Sequence, residues 1–471
     1  MADYDAIIIG AGMAGLAAGI RLAMFDKRVL ILEQHNAPGG LNSYYHQNKR
    51  AFDVGLHALT NYAAKGERRA PLTKLLRQLR IGWDELQLRE QVRSEVQFPG
   101  VTLPFTNDFE VLRAAVGEAF PSQVDAFDKF VAHVLAYDNL SLDVPQIPAR
   151  PVLEEFISEP LLIEMLFCPL MYYGSAVEDD MEFGQFCTMF RSILLEGFSR
   201  PEGGVRRIVR VLLQKLREAG GELRFKQGVG RILTRGGKVQ GVRLEKSGQE
   251  LTAPVVISTA GYLETLALTD DGPEPTEQDP PGMLTFMESI ICLDVEPKQL
   301  GIDQTIIFFN DSERFHYRKP AEALDLRSGV ICMPNNYLHD APLGEGYIRM
   351  TSIANYDVWA ALDKPEPYAS TKLAWHAKQE QVLLGMLPDF RPHVTYRDVF
   401  TPTTIHHYTR HINGAVYGAP RKIKDGLTSV EGLFIAGTDQ GFLGIVGAML
   451  SGISIANARV LMPQGAPHGT A

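Results

Sequence analysis

YDAIIIGAGMAGLAAGIRLAMFDKRVLILEQHNAPGG, residues 4–40, is the stretch on which the reading of this chain turns. Ile7, Ile8 and Ile9 form a short apolar run suited to a strand buried on both faces. The turn after it carries Gly10, Gly12 and Gly15, and a helical run extends from Met13 to about Phe25. In that spacing Gly10 permits a tight turn, Gly12 lets the backbone approach a pyrophosphate, and Gly15 lets helix and strand pack closely. The unpaired N–H groups and the positive dipole end of such a helix hold phosphate. A second strand, residues 28–32, ends in Glu33, about 20 residues beyond the fingerprint, where a carboxylate accepts from a ribose 2′-hydroxyl. Strand, helix, strand and acid stand in the order that dinucleotide binding requires.

Outward from this unit, bulk properties narrow the field. The chain has 471 residues, enough for two or three domains, with 45% hydrophobic and 22% charged residues, as in ordinary globular proteins. A net charge of −10 without a dense basic run argues against nucleic acid as a partner. The four cysteines, Cys168, Cys187, Cys292 and Cys332, show no metal-ligand or redox spacing and read as buried thiols; no metal is expected. The first strand begins almost at once and leaves no room for a signal peptide, so a cytoplasmic location is expected. Peripheral contact with the inner face of a membrane stays open, and the oligomeric state is not set by the sequence.

Further along, Pro38-Gly39-Gly40 offers a second close backbone approach, and FDVGLHALTNY, residues 52–62, returns toward the reacting end of a long cofactor. His57 there is a candidate for chemistry, weighed evenly against a structural histidine. One helix is expected over residues 70–86, a hairpin around Pro99-Gly100, a helix capped by Asn107 or Asp108, and another over 123–137. Residues 153–174 are strongly apolar but interrupted by acids and prolines. They read as core helices, as the lining of an apolar cavity, or as a surface that dips into lipid. A helix over 205–216, strand-like residues 222–225 followed by 229–232, a small β-meander over 238–251 and a buried strand over 255–261 resume the nucleotide-domain pattern. The acidic, proline-rich residues 270–281 read as a linker. Later strands (283–295, 329–333, 346–353) and a helix over 375–387 suggest a second sheet, and residues 432–456 close the chain with strand, glycine turn and small-residue helix.

The opening fingerprint, the Gly39-Gly40 pair, FDVGLH, Gly414-Ala415-Val416-Tyr417-Gly418 and the terminal GLFIAGTD…G…GAMLSG resemble the phytoene desaturase, carotenoid isomerase and retinol saturase branch of the FAD-dependent, amine oxidase-like oxidoreductases. The resemblance covers about half the chain. It implies an α/β fold: a discontinuous Rossmann-like FAD-binding domain (1–83, 199–269, 425–465) with an inserted α+β substrate or cap domain (84–198 and 282–424). It further implies FAD held by Gly10, Gly12, Met13, Ala14 and Gly15, with Glu33 and Gln34 at the ribose. Gly39, Gly40, Leu41 and His57 would lie along the cofactor, and Val229 and Ala260 by the adenine. Gly437 and Asp439 would lie near the pyrophosphate and ribityl chain, and Gly444, Ile445 and Val446 beside the flavin. Thr438-Asp439-Gln440-Gly441 departs from the Thr-His-Pro-Gly type sequence frequent in the desaturases.

The activity that the resemblance implies is hydride transfer at flavin N5 on a lipophilic polyisoprenoid, such as phytoene, a carotene or a related C30 chain, by desaturation, saturation or isomerisation. His57, Tyr408 and Tyr417 are the candidates for proton transfer or orientation, with His406 and His407 behind them. Only one fingerprint is present, so electrons are expected to pass to a quinone or oxygen, or to return to the substrate. Two other readings stand beside this one: an amine oxidase-like enzyme with a polar substrate, and a non-catalytic FAD-binding prenyl escort.

Overall fold

The computed structural model describes residues 2–138, 144–270 and 272–462. The 463–465 end of the expected nucleotide domain therefore lies outside the described residues. Five strands form a wholly parallel sheet in the order Leu433–Ile435, Val256–Ser258, Ala6–Ile9, Val29–Leu32, Glu222–Arg224. The first strand thus sits at the centre, with Ile7 facing Leu30 on one side and Val256, from a distant part of the chain, on the other. The central strands are buried along their whole length, as their continuous apolar runs require.

The opening helix, Met13–Ala23, and the closing helix, Gly444–Ile455, cross on one face of this sheet. Small residues set that crossing: a Cβ added to Gly452 would lie 2.0 Å from the Ala14 carbonyl oxygen. The span Gly444–Leu461 is long and apolar enough to cross a membrane by length and composition alone, and its first part, Gly444–Ile455, packs closely on the opening helix. A three-stranded antiparallel meander, Val229–Arg235, Lys238–Leu244 and Glu250–Thr252, covers the other face.

A second, seven-stranded sheet runs Val394–Phe400, Thr285–Leu293, Gly346–Ala354, Ser328–Cys332, Ile306–Asn310, Ser94–Phe98, Val101–Phe105. It is antiparallel except where Ile306–Asn310 meets Ser94–Phe98. The hairpin turn at Pro99-Gly100 lies where the sequence predicts it, and Asp108 rather than Asn107 caps the next helix by accepting from the Glu110 N–H at 3.1 Å. Helices within residues 109–190 pack on this sheet around a phenylalanine-rich core.

Three expectations need correction. The helix expected over 70–86 is two, Pro71–Gln78 and Trp83–Leu86, because Arg80 takes left-handed backbone (φ 53°) and Gly82 restarts the turn. Of the readings of residues 153–174, that of a core helix holds over Pro160–Gly174, which buries every side chain from Leu162 to Tyr172 and so turns none of them to a lipid surface. The late helix is longer, Pro365–Met386, and the residues it buries are His376, Gln379 and Leu383. Ser289 explains that polar face, hydrogen-bonding His376 Nδ1 at 2.7 Å and Gln379 Oε1 at 2.5 Å.

Candidate cofactor and substrate site

A continuous cavity of about 1620 Å³ runs from the carboxyl ends of the parallel strands into the space beneath the second sheet. It is larger than the ~300–1,000 Å³ of most small-molecule sites and has room for a dinucleotide and a second molecule. Its first part is lined by Gly10, Gly12, Met13, Ala14, Glu33, Gln34, Gly39, Gly40 and Leu41, with Val229 and Ala260 beyond them. Gly437, Gly444, Ile445 and Val446 line the next part, and His57 and Tyr417 the last.

Local geometry says which glycines serve a ligand. An added Cβ at Gly12 or Gly444 meets no atom within 4 Å, whereas one at Gly15 would lie 2.0 Å from the Gly10 carbonyl oxygen. Gly15 does not line the cavity; its part is the helix–strand contact. The opening helix has Gly12 at its N-cap with no side-chain cap, and the closing helix likewise starts uncapped after Leu443. Two helix N-termini without side-chain caps thus face one cavity, the arrangement suited to anionic or electron-rich groups. Glu33 is 6% exposed and its carboxylate is fixed by the N–H groups of Ala11 at 2.8 Å and His35 at 2.9 Å. Its remaining lone pairs suit a ribose diol. The open glycines, paired helix termini and fixed acid fit FAD.

Two expected residues lie elsewhere. Asp439 does not line the cavity: it is buried, and its two oxygens accept the N–H groups of Tyr262 at 2.6 Å and Ala419 at 2.8 Å. That carboxylate ties three loops together, which corrects its expected place beside the ribityl chain. Tyr408 is mostly exposed and packs on His35 and His407, while its carbonyl accepts from Gln34 and hydrogen-bonds His35. It belongs with the ribose end, away from His57 and Tyr417. His406 bonds the His411 carbonyl and packs on Tyr356. Tyr417 donates to the Tyr172 carbonyl, and burial pushes its hydroxyl pKa up.

The far end of the cavity holds a connected set of polar side chains. His57 Nε2 lies 3.2 Å from Glu288 Oε2 and 3.3 Å from Thr351 Oγ1, and the threonine hydroxyl itself donates to that carboxylate at 3.2 Å. Glu288 stands mid-strand in Thr285–Leu293 and pairs with buried Arg349 from the neighbouring strand. Arg349 also donates to the carbonyls of Leu56 (3.1 Å), Asp53 (3.1 Å) and Val54 (2.7 Å). Arg200 clamps the same loop through Asp53 and the Leu56 carbonyl, and Tyr337 donates to the His57 carbonyl at 2.9 Å. Thus FDVGLH is gripped by side chains from remote parts of the chain. Tyr172, Tyr173, Phe286, Val330 and Met189 make the surrounding wall.

Burial lowers the His57 pKa more than Glu288 raises it, so the ring is neutral at pH 7. Burial alone would raise the Glu288 carboxyl, but Arg349 and then His57 outweigh it and hold the carboxyl below its ordinary range. Two acceptors at Nε2 place the ring proton there and leave Nδ1 as the acceptor. A depressed imidazole pKa makes the unfolded chain bind more protons than the native one as pH falls below about 6.5, the ordinary value. Stability contributed by neutral His57 is therefore complete above that pH and declines below it. Urea midpoints at pH 7.5, 6.0 and 5.0 are expected to fall more steeply for the wild type than for His57→Asn.

Glu288, Arg349, Arg200 and Thr351 escaped the sequence reading, since all four lie within strands and carry no motif spacing. The signal available was the anomaly itself: a charged residue inside a run such as TFMESIICL.

A parallel sheet with its first turn, acid and second helix N-terminus converging on one cavity defines a dinucleotide-binding α/β protein. Comparison with known proteins agrees. Residues 8–79 match the family described as an NAD(P)-binding Rossmann-like domain. The chain is similar to the chloroplastic prolycopene isomerase of Arabidopsis thaliana, 24% identical over 96% of this chain and 82% of that one. It is likewise similar to the all-trans-retinol 13,14-reductase of Danio rerio, 23% identical over 96% and 85%. Among solved structures, an oxidoreductase from Methanosarcina mazei shares the fold with a TM-score of 0.68 at 16% identity, covering 96% of this chain and 99% of that one.

Proposed function

We propose that this chain is an FAD-dependent oxidoreductase that saturates, desaturates or isomerises double bonds of a lipophilic polyisoprenoid. The observation that carries the reading is one cavity joining a dinucleotide cradle to an aromatic-walled end in which the polar pair His57–Glu288 is buried. The names of the two relatives, an isomerase of prolycopene and a reductase of retinol, support it.

When bound, FAD supplies hydride acceptance and donation. Gly12, Met13 and Ala14 would hold its pyrophosphate on the opening helix, Glu33 its adenosine ribose, and the first turn of the closing helix its flavin edge. The protein's own contribution is a dry, shaped site and a placed proton. Tyr172, Tyr173 and Phe286 exclude water and orient a conjugated chain by their faces. His57 accepts or returns a proton at Nδ1, while Glu288 and Thr351 fix the ring by its other nitrogen. Glu288 stabilises the imidazolium that forms, and Arg349 keeps Glu288 ionised.

The test is incubation of FAD-loaded protein with phytoene, a poly-cis carotene and all-trans-retinol, with and without oxygen. Loss or gain of two hydrogens by mass, or an altered spectrum at constant mass, is the expected result. Inertness toward all three, with peroxide released from an added amine, would overturn the proposal.

A further inference from the structure

The cavity has a second polar region that proton transfer does not use. The segment starting at His57 runs on through Ala58, Thr60 and Asn61, which all line the cavity, and there it meets Glu196. Asn61 is held in left-handed backbone (φ 61°) by its N–H, which donates to the Ser192 carbonyl at 3.0 Å. Its Nδ2 donates to Glu196 Oε2 at 2.8 Å, and its Oδ1 accepts the Thr60 hydroxyl at 2.9 Å. Glu196 closes a wide turn in which its N–H reaches back five residues to the Arg191 carbonyl at 2.9 Å, a feature frequent at functional sites. Burial raises the Glu196 pKa. Among the described residues Glu196 Oε1 accepts no hydrogen bond, although the side chain faces the cavity.

A few converging polar groups in an otherwise aromatic cavity fix a ligand's orientation. What these groups lack is a donor. A carboxylate ligand would be repelled by Glu196, and an ammonium would have to approach the Arg191 guanidinium, which lines the same cavity. A neutral hydroxyl meets neither obstacle. We propose that Asn61 and Glu196 form a subsite for one hydroxyl of the substrate, so that an isoprenoid alcohol enters with its polar end placed. Asn61 stands four positions after His57, so their Cα atoms lie at most about 14 Å apart. This rests on the reading of the cavity as a site for a lipophilic isoprenoid.

The experiment is equilibrium binding to the FAD-loaded protein, read by perturbation of the flavin spectrum. Its probes are geranylgeraniol, its methyl ether and geranylgeranylamine. The alcohol is expected to bind about 10-fold or more tightly than the ether. Glu196→Ala and Asn61→Gly, the latter chosen because glycine keeps the left-handed backbone, are each expected to abolish that preference. Ether affinity and FAD content should be retained, which a merely structural pair would not allow. Equal binding of alcohol and ether by the wild type, or tighter binding of the amine, would overturn the subsite alone. Failure of all three probes to bind would overturn the lipophilic reading and the subsite with it.

Discussion

Gly12→Asp is expected to yield a folded protein that no longer retains FAD. The backbone at Gly12 is extended (φ −71°, ψ −179°), a conformation open to any residue, and no protein atom lies within 4 Å of an added Cβ. Nothing in the polypeptide therefore calls for glycine here. Aspartate is moreover a good N-cap, so the apoprotein should gain a few tenths of a kcal/mol. Its carboxylate, however, would occupy the helix terminus at which the pyrophosphate would sit, with the charge such a terminus favours. We expect FAD affinity to fall by about 1,000-fold, some 4 kcal/mol. Gly15→Ala makes the contrast within the same motif. Its Cβ would lie 2.0 Å from a carbonyl oxygen of the first strand's turn, so overpacking of about 1–3 kcal/mol or more should appear in the unfolding midpoint of the apoprotein. Cofactor titration and chemical denaturation of the two variants separate the roles. Retention of FAD by Gly12→Asp would mean that the pyrophosphate is not held at this helix terminus.

The nucleotide half was legible because its signals are local. Ile7–Ile9, the three glycines and Glu33 lie within a few dozen residues, and each position has a steric or electrostatic reason that survives in isolation. The closing helix was legible for the same reason, since Gly444 and Gly452 punctuate an apolar run. Asp439 was misplaced because an acid beside a glycine turn looks the same whether it faces a ligand or braces loops. Only Tyr262 and Ala419, 177 and 20 residues away, decide that. The reacting end was half legible. His57 stood out, but its meaning depends on strands that approach it from more than two hundred residues away. Register, not composition, sets Glu288 against Thr351 across the antiparallel pair and leaves both side chains toward the histidine. Helical periodicity marked only the later part of Pro365–Met386, because the face that packs includes polar residues drawn in by a serine on the sheet.

Arg349→Met should be the most destructive single change in the second sheet. Arg349 is 3% exposed, its guanidinium is paired with Glu288, and it donates to three carbonyls of the loop carrying His57. Removing it strands a buried carboxylate and three backbone acceptors, and removal of one member of a buried pair costs about 3–5 kcal/mol. Part of that cost is the isolated charge. Adding Glu288→Gln to Arg349→Met neutralises it, so the double variant should recover about 1–2 kcal/mol relative to Arg349→Met. Activity should not return with stability. With glutamine at 288 the imidazolium formed on proton uptake has no anion beside it, and the loop that aims Nδ1 lacks its clamp. Proton-transfer catalysis by a placed side chain is worth about 100- to 10,000-fold, and that is the loss expected in kcat for both variants. A thermodynamic cycle over the two sites, measured by urea unfolding and by turnover on whichever isoprenoid the protein accepts, tests both parts. Simple additivity in stability would mean that the two side chains do not act as a buried pair, and near-normal turnover in the double variant would release His57 from the role assigned to it.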